Sequence, residues 1–74
     1  MEVINKVEKI IGSYIVGFKL NNNNIDVNFY ELGLDSMDIM SLFSDLESDY
    51  GIIVSDDDFN LYEKPSDIIN LFKE

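Results

Sequence analysis

The segment Glu31-Leu32-Gly33-Leu34-Asp35-Ser36-Met37-Asp38 sets one hydroxyl, that of Ser36, between two carboxylates where a turn-rich loop gives way to a helical pattern. In backbone terms this is a helix start: Asp35 or Ser36 caps free N–H groups, Asp38 adds an acid to the first turn, and Gly33 permits the approach. In side-chain terms Ser36 is a hydroxyl without an activating partner. The chain contains no His, and no paired base or Gly-rich phosphate loop accompanies the Ser, so a nucleophilic enzyme site is not expected. It also contains no Cys, which excludes disulfides, thiolate metal sites and thiol chemistry by the protein's own side chains. Any thiol used here has to be imported.

The carboxylates form the second group with chemical potential. Asp and Glu number 15 against 5 Lys, for a net charge of −10. Residues 20–63 hold eleven acids and no base, a local charge of −11. Such a field repels nucleic acid and anionic lipid and favours partners with basic surfaces. Calcium is the obvious alternative, and Asp56, Asp58 and Asn60 match the first three ligand positions of an EF-hand loop. The match then fails, because Leu61 stands where Gly is needed and Asp67 replaces the bidentate Glu. The run Asp45, Glu47, Asp49 fails as well, with Gly51 one residue late. No dedicated metal site is expected, only weak divalent binding that relieves repulsion.

Positioning these groups requires a core, and 46% apolar residues in 74 positions suffice for one small domain spanning 1–74. Val3, Ile4, Val7, Ile10, Ile11, Tyr14, Ile15 and Phe18 recur at spacings of three and four, predicting a first helix over residues 2–19 that Gly12 and Gly17 weaken toward its end. Asn21 to Asn24 open a loop to about Asp35, in which Ile25, Val27, Phe29 and Leu32 dock parts of the chain on the core. Ile39, Leu42, Phe43, Leu46 and Tyr50 predict a second helix over 36–50, stopped by Gly51. Ile52-Ile53-Val54 reads as an extended, buried connector, because no second strand pattern exists to pair with it. Asp56 to Leu61 makes a short helical turn, and a last helix with Ser66 as N-cap runs to about Lys73. The expected fold is all-α: a small four-helix bundle of three main helices plus one short one. No signal-peptide pattern and no apolar run of roughly 20 residues occurs, so a cytoplasmic protein without membrane insertion is expected.

With the elements in this register, Leu32-Gly33-Leu34-Asp35-Ser36-Met37 resembles the modification motif of the acyl carrier protein family. The likeness extends over nearly the whole chain, from Val7-Glu8-Lys9-Ile10-Ile11-Gly12 through the Phe29 region, the helix from Asp38 to Tyr50 and the acidic turn Asp56-Asp57-Asp58 to Leu71-Phe72. The resemblance implies 4′-phosphopantetheine, transferred from coenzyme A to the Ser36 hydroxyl by a phosphopantetheinyl transferase, whose terminal thiol holds cargo as a thioester. A phosphodiester there would lie at the positive end of the helix dipole. Asp35 and Asp38 would face the modifying enzyme, with Met37 and Met40 as adaptable apolar contacts. Asp45 and Glu47 would meet basic surfaces on loading and processing enzymes. A monomeric carrier, not an enzyme, is implied. Ser41, Ser44 and Ser48 replace acidic or apolar residues frequent in the family's fatty-acid members, which puts a carrier dedicated to a polyketide, peptide or other specialised pathway on at least an equal footing with a fatty-acid-like one. Peptide-synthesis carriers more often show Gly-Gly-His/Asp-Ser, so Gly33-Leu34-Asp35-Ser36 leans toward acyl cargo. Aminoacyl or peptidyl cargo, D-alanine included, stays open as the alternative, and an unmodified acidic interaction bundle as a remote one.

Overall fold

A computed structural model describes residues 2–73. Its helices are α1 (Glu2–Gly12), α2 (Phe29–Leu32), α3 (Ser36–Tyr50) and α4 (Pro65–Lys73), with a 3₁₀ turn at Asp56–Leu61 before α4. The all-α expectation holds, and no strand occurs among the described residues. Packed against one core are Val7, Ile10 and Ile11 of α1, Phe29 of α2, Leu34, the α3 stripe Leu42, Phe43 and Leu46, and Ile68 and Ile69 of α4. At about 1.5–3 kcal/mol for each large apolar side chain removed from water, this cluster is the main force holding the helices together. No helix among the described residues is long and apolar enough to cross a membrane.

The first helix is shorter than its apolar spacing predicts. It ends at Gly12, where the Ser13 and Tyr14 amides turn back to the Ile10 and Ile11 carbonyls at 3.1 and 2.9 Å. Gly17, at φ +76°, then turns the chain in a conformation that side chains with a Cβ rarely adopt. Tyr14, Ile15 and Phe18 still pack on the core, now from turns. The period was a true burial signal carried beyond the helix.

Helix α2 is an addition to the expected loop. Asn28 caps it by accepting the Tyr30 N–H at 2.8 Å, and the Phe29 amide donates to the Glu63 carbonyl at 2.8 Å, fixing the loop beside the segment before α4. At the far end of α3, Gly51 takes φ +69° and donates back to the Glu47 and Leu46 carbonyls. The connector after it is not buried throughout: Ile53 is 74% exposed, whereas Ile52 and Val54 pack on the core. An extended backbone points successive side chains to opposite sides, so only alternate residues reach the interior.

Ser66 is not the cap of the last helix. Pro65 takes the first helical position, where its missing N–H is no loss. Ser66 sits one step inside, its amide donating to the Ile25 carbonyl at 2.9 Å and its hydroxyl to Asp26 Oδ1 at 2.8 Å. Both bonds tie α4 to the long loop. Aromatic contacts close the other side: Phe43 stacks on Phe59 with centroids 4.5 Å apart and meets Tyr62 edge-on at 6.2 Å. Tyr50 meets Phe72 edge-on at 5.1 Å, with the Lys6 ammonium over both rings at 5.6 and 5.9 Å.

Candidate attachment and docking site

Helix α3 begins with a reciprocal cap. Asp35 is extended (φ −106°, ψ −179°), its Oδ1 accepts the Asp38 N–H at 2.8 Å, and Asp38 Oδ2 accepts the Asp35 N–H at 3.3 Å. Capping therefore falls to Asp35, not Ser36. Ser36 takes the first helical position, exposed, with its hydroxyl outside the cap. Below it the loop is anchored: Gly33 turns at φ +110°, and buried Leu34 donates its amide to the Phe29 carbonyl at 3.0 Å. The two leucines and the glycine of the motif thus set the height and direction of the Ser36 backbone.

An apolar groove of about 360 Å³ opens beside Ser36, lined by Tyr30, Ile39, Met40, Phe59, Asn60, Tyr62 and Glu63. Met40 forms part of its wall and is 58% exposed, so it is a surface residue and not core; Met37, 76% exposed, stands next to Ser36. Tyr30, Phe59 and Tyr62 belong to this neighbourhood and were not singled out from the sequence. The signal that points to them is the placement of aromatic residues in short elements, where no helical period absorbs them.

The acids expected to meet partners divide between two faces of α3. Glu47 is exposed and lines a groove of about 230 Å³ with Met40, Phe43, Ser44, Val54, Asp56 and Phe59. Asp45 faces the other way, into a cleft with Lys9, Ile10, Ser13, Asp49 and Tyr50. It is half-buried, and its Oδ2 accepts the Tyr14 hydroxyl at 2.6 Å. The Tyr14 phenol is pushed up to about 12, first by burial, then by the hydrogen bond and charge of Asp45 and the charge of Asp38, with Ser41 acting in the opposite sense. It stays a protonated donor across the physiological range. Asp35, Ser36, Met37, Asp38 and Met40 thus gather at one end of α3, Glu47 adjoins the groove further along, and Asp45 is engaged with the segment after α1.

The family description "Phosphopantetheine attachment site" matches residues 2–72. An acyl carrier protein of Rickettsia bellii is 33% identical over 70 residues, covering 93% of this chain and 85% of its own. One from Solidesulfovibrio magneticus is 32% identical over 75 residues, covering 100% and 95%. A non-reducing polyketide synthase of Stachybotrys bisbyi is 44% identical over 46 residues, 62% of this chain and 2% of that much longer one. No solved structure matches the chain significantly. The match over residues 2–72 and the two nearly full-length relatives show that the chain belongs to the acyl carrier protein family, whose members are carriers rather than catalysts. Its cofactor is 4′-phosphopantetheine, and it works with a phosphopantetheinyl transferase and with partner enzymes.

Proposed function

We propose that Ser36 is the residue that bears the phosphopantetheine arm. The observation that carries this reading is the division of labour at the start of α3: Asp35 and Asp38 cap the helix between them, which leaves the Ser36 hydroxyl exposed and free to form a phosphodiester. The residues fit the group. An anion at the first turn of a 15-residue helix is favoured by the dipole, and the apolar groove beside Ser36 is wide enough to receive part of an arm. When bound, the arm supplies a terminal thiol for thioester chemistry, which a chain without Cys cannot provide.

Asp35, Met37, Asp38 and Met40 surround the attachment point as the face the transferase meets, with Glu47 and Asp45 as acids further along α3. The local charge of −11 supports partners with basic docking surfaces. The chain acts as a single cytoplasmic domain and a monomer, carrying acyl intermediates of a fatty-acid-like, polyketide or other specialised pathway. Ser41, Ser44 and Ser48 on α3 keep a dedicated pathway on at least an equal footing with general fatty-acid synthesis, and the likeness to a segment of a polyketide synthase is compatible with it. Gly33-Leu34-Asp35-Ser36 favours acyl over aminoacyl or peptidyl cargo.

Intact-mass measurement after incubation with coenzyme A, Mg²⁺ and a broad-specificity phosphopantetheinyl transferase tests the attachment. One arm is gained by the native chain and none by Ser36→Ala; a gain that persists in Ser36→Ala would falsify the assignment. Loading the resulting thiol from acyl and aminoacyl donors with the partner enzymes then separates the two classes of cargo.

A further inference from the structure

The side of α3 that faces the groove beside Ser36 is closed by stacked rings. Phe43 is 4% exposed, and Phe59 of the 3₁₀ turn lies flat on it, with centroids 4.5 Å apart and planes 12° apart. Tyr62 meets the same Phe43 ring edge-on at 6.2 Å. Phe59 therefore stands between two spaces. It borders both the groove of about 360 Å³ at Ser36 and the groove of about 230 Å³ further along α3, and Phe43 beneath it belongs to the core. Behind these rings the interior is filled by fully buried side chains, among them Phe29, Leu42, Leu46 and Ile68. An interior packed in this way admits a further chain only where side chains are forced apart, which costs strain.

The groove, by contrast, is open, and the attachment point is part of its wall. Ser36 lines it together with Tyr30, Ile39, Met40, Phe59 and Tyr62. A group carried on an arm from Ser36 meets this surface at high effective concentration, without the translational cost that a free ligand bears. An apolar cavity of about 150 Å³ holds one benzene, so about 360 Å³ takes on the order of a dozen non-hydrogen atoms. That is room for the end of the arm with a short acyl group, and not for a long saturated chain besides. The lining suits such an occupant: aromatic and aliphatic walls, with Asn60, Glu63 and the two tyrosines as the few polar groups that can meet amide and carbonyl oxygens.

We propose, resting on Ser36 as the attachment point, that the acyl group on the arm is short and lies at the surface against Tyr30, Phe59 and Tyr62, and that the Phe43–Phe59 stack keeps it out of the bundle. Phe59 is then the specificity-determining residue. It gives a short group a flat apolar floor and denies a long chain the burial that would hold it. A thioester carried in this way stays open to the next enzyme rather than enclosed by the fold.

Loading by a phosphopantetheinyl transferase from amide-linked analogues of butyryl-, octanoyl- and dodecanoyl-coenzyme A gives forms that do not hydrolyse, and intact mass of the native chain and of Ser36→Ala shows where the arm goes. Thermal unfolding then reads burial, because a chain enclosed only in the folded state stabilises that state in proportion to the apolar surface removed from water. The butyryl and dodecanoyl forms of the native chain should melt within about 2 °C of each other, whereas a chain drawn into the bundle would separate them by about 10 °C or more. Phe59→Ala removes the floor and should open a gap of about 5 °C or more between the same two forms, the dodecanoyl form melting higher. Phe59→Leu, with a smaller gap, serves if the alanine variant folds poorly. In side-chain NMR spectra, butyryl loading should shift Tyr30, Phe59 and Tyr62 relative to the unacylated arm and leave Val7 and Ile68 in place. A native gap of about 10 °C, equal gaps in the native chain and the Phe59 variants, or unmoved Tyr30, Phe59 and Tyr62 resonances each overturn the proposal. Arm uptake that is absent, or that persists in Ser36→Ala, overturns the attachment reading and the proposal with it, and it is seen by mass before any melting, so the two failures are told apart.

Discussion

Asp35 and Asp38 satisfy each other's backbone across Ser36: the Asp38 N–H donates to Asp35 Oδ1 at 2.8 Å and the Asp35 N–H to Asp38 Oδ2 at 3.3 Å. Two orphan donors at the start of α3 are thereby paired without the serine. The Ser36 hydroxyl is thereby left outside the cap and exposed.

The cap can be weighed by substitution. Asp35→Ala removes the acceptor for the Asp38 amide and lowers stability by about 1 kcal/mol. For a domain of this size that corresponds to a melting temperature lower by about 4–8 °C. Asp35→Asn retains a capping oxygen and stays close to the native value. Thermal unfolding followed by circular dichroism checks both, and equal losses in the two variants would show that charge, not capping, is what Asp35 contributes.

The aromatic cluster beside the groove is a separate stabilising unit. Phe43 is buried and stacks on Phe59, 4.5 Å away with planes 12° apart. Phe43→Ala leaves a cavity and costs about 3–5 kcal/mol, while Phe59→Ala costs less because Phe59 is only half-buried. A double-mutant cycle in urea should return a coupling of about 0.5–1.5 kcal/mol for the pair. Strict additivity would mean that the two rings share burial and nothing else.

What the sequence made legible follows from which signals are local. The stripe Ile39, Leu42, Phe43, Leu46, Tyr50 and the stop at Gly51 give α3 its observed bounds, because period and terminator lie in one continuous segment. The overlong first helix fails for the opposite reason. Tyr14, Ile15 and Phe18 keep a helical spacing and are partly buried against the core, yet the backbone beneath them has already turned. Burial periodicity reports direction, not hydrogen bonding. Helix α2 and the role of Ser66 depend on tertiary partners, Glu63 for Phe29 and Ile25 with Asp26 for Ser66, which no local window contains. The same holds at the site. Ser36 and its flanking acids are contiguous and readable, whereas the groove's Tyr30 comes from α2 and its Phe59 and Tyr62 from the 3₁₀ turn and the residue that ends it. Asp45's partner lies 31 positions away.

The excess of acid sets a salt response. Eleven carboxylates between 20 and 63 face no base in that stretch, and their mutual repulsion opposes compaction. Raising NaCl to about 0.15 M shortens the screening length to about 8 Å and should raise the melting temperature. Mg²⁺ should do so at lower concentration. A flat response would place these acids too far apart to repel.

Alkaline pH isolates Tyr14. Its phenol has an ordinary value of 10.0 and is raised to about 12 in the folded chain, burial being the larger cause and Asp45 the next. The folded state therefore holds this proton more tightly than the unfolded state does. The resulting stabilisation is fully present below pH 10, declines as pH rises through the interval from 10 to about 12, and is gone above it. Tyr14→Phe cannot lose a phenolic proton, so its urea midpoint should lie below the native one at pH 8, and the gap should narrow as pH climbs from 10 toward 12. Subtracting the two curves removes the contributions of Tyr30, Tyr50, Tyr62 and the lysines, which both chains share. A gap that stays constant over that interval would show that the folded chain does not favour the protonated phenol, and that the bond to Asp45 is too weak in solution to hold residues 13–20 on α3.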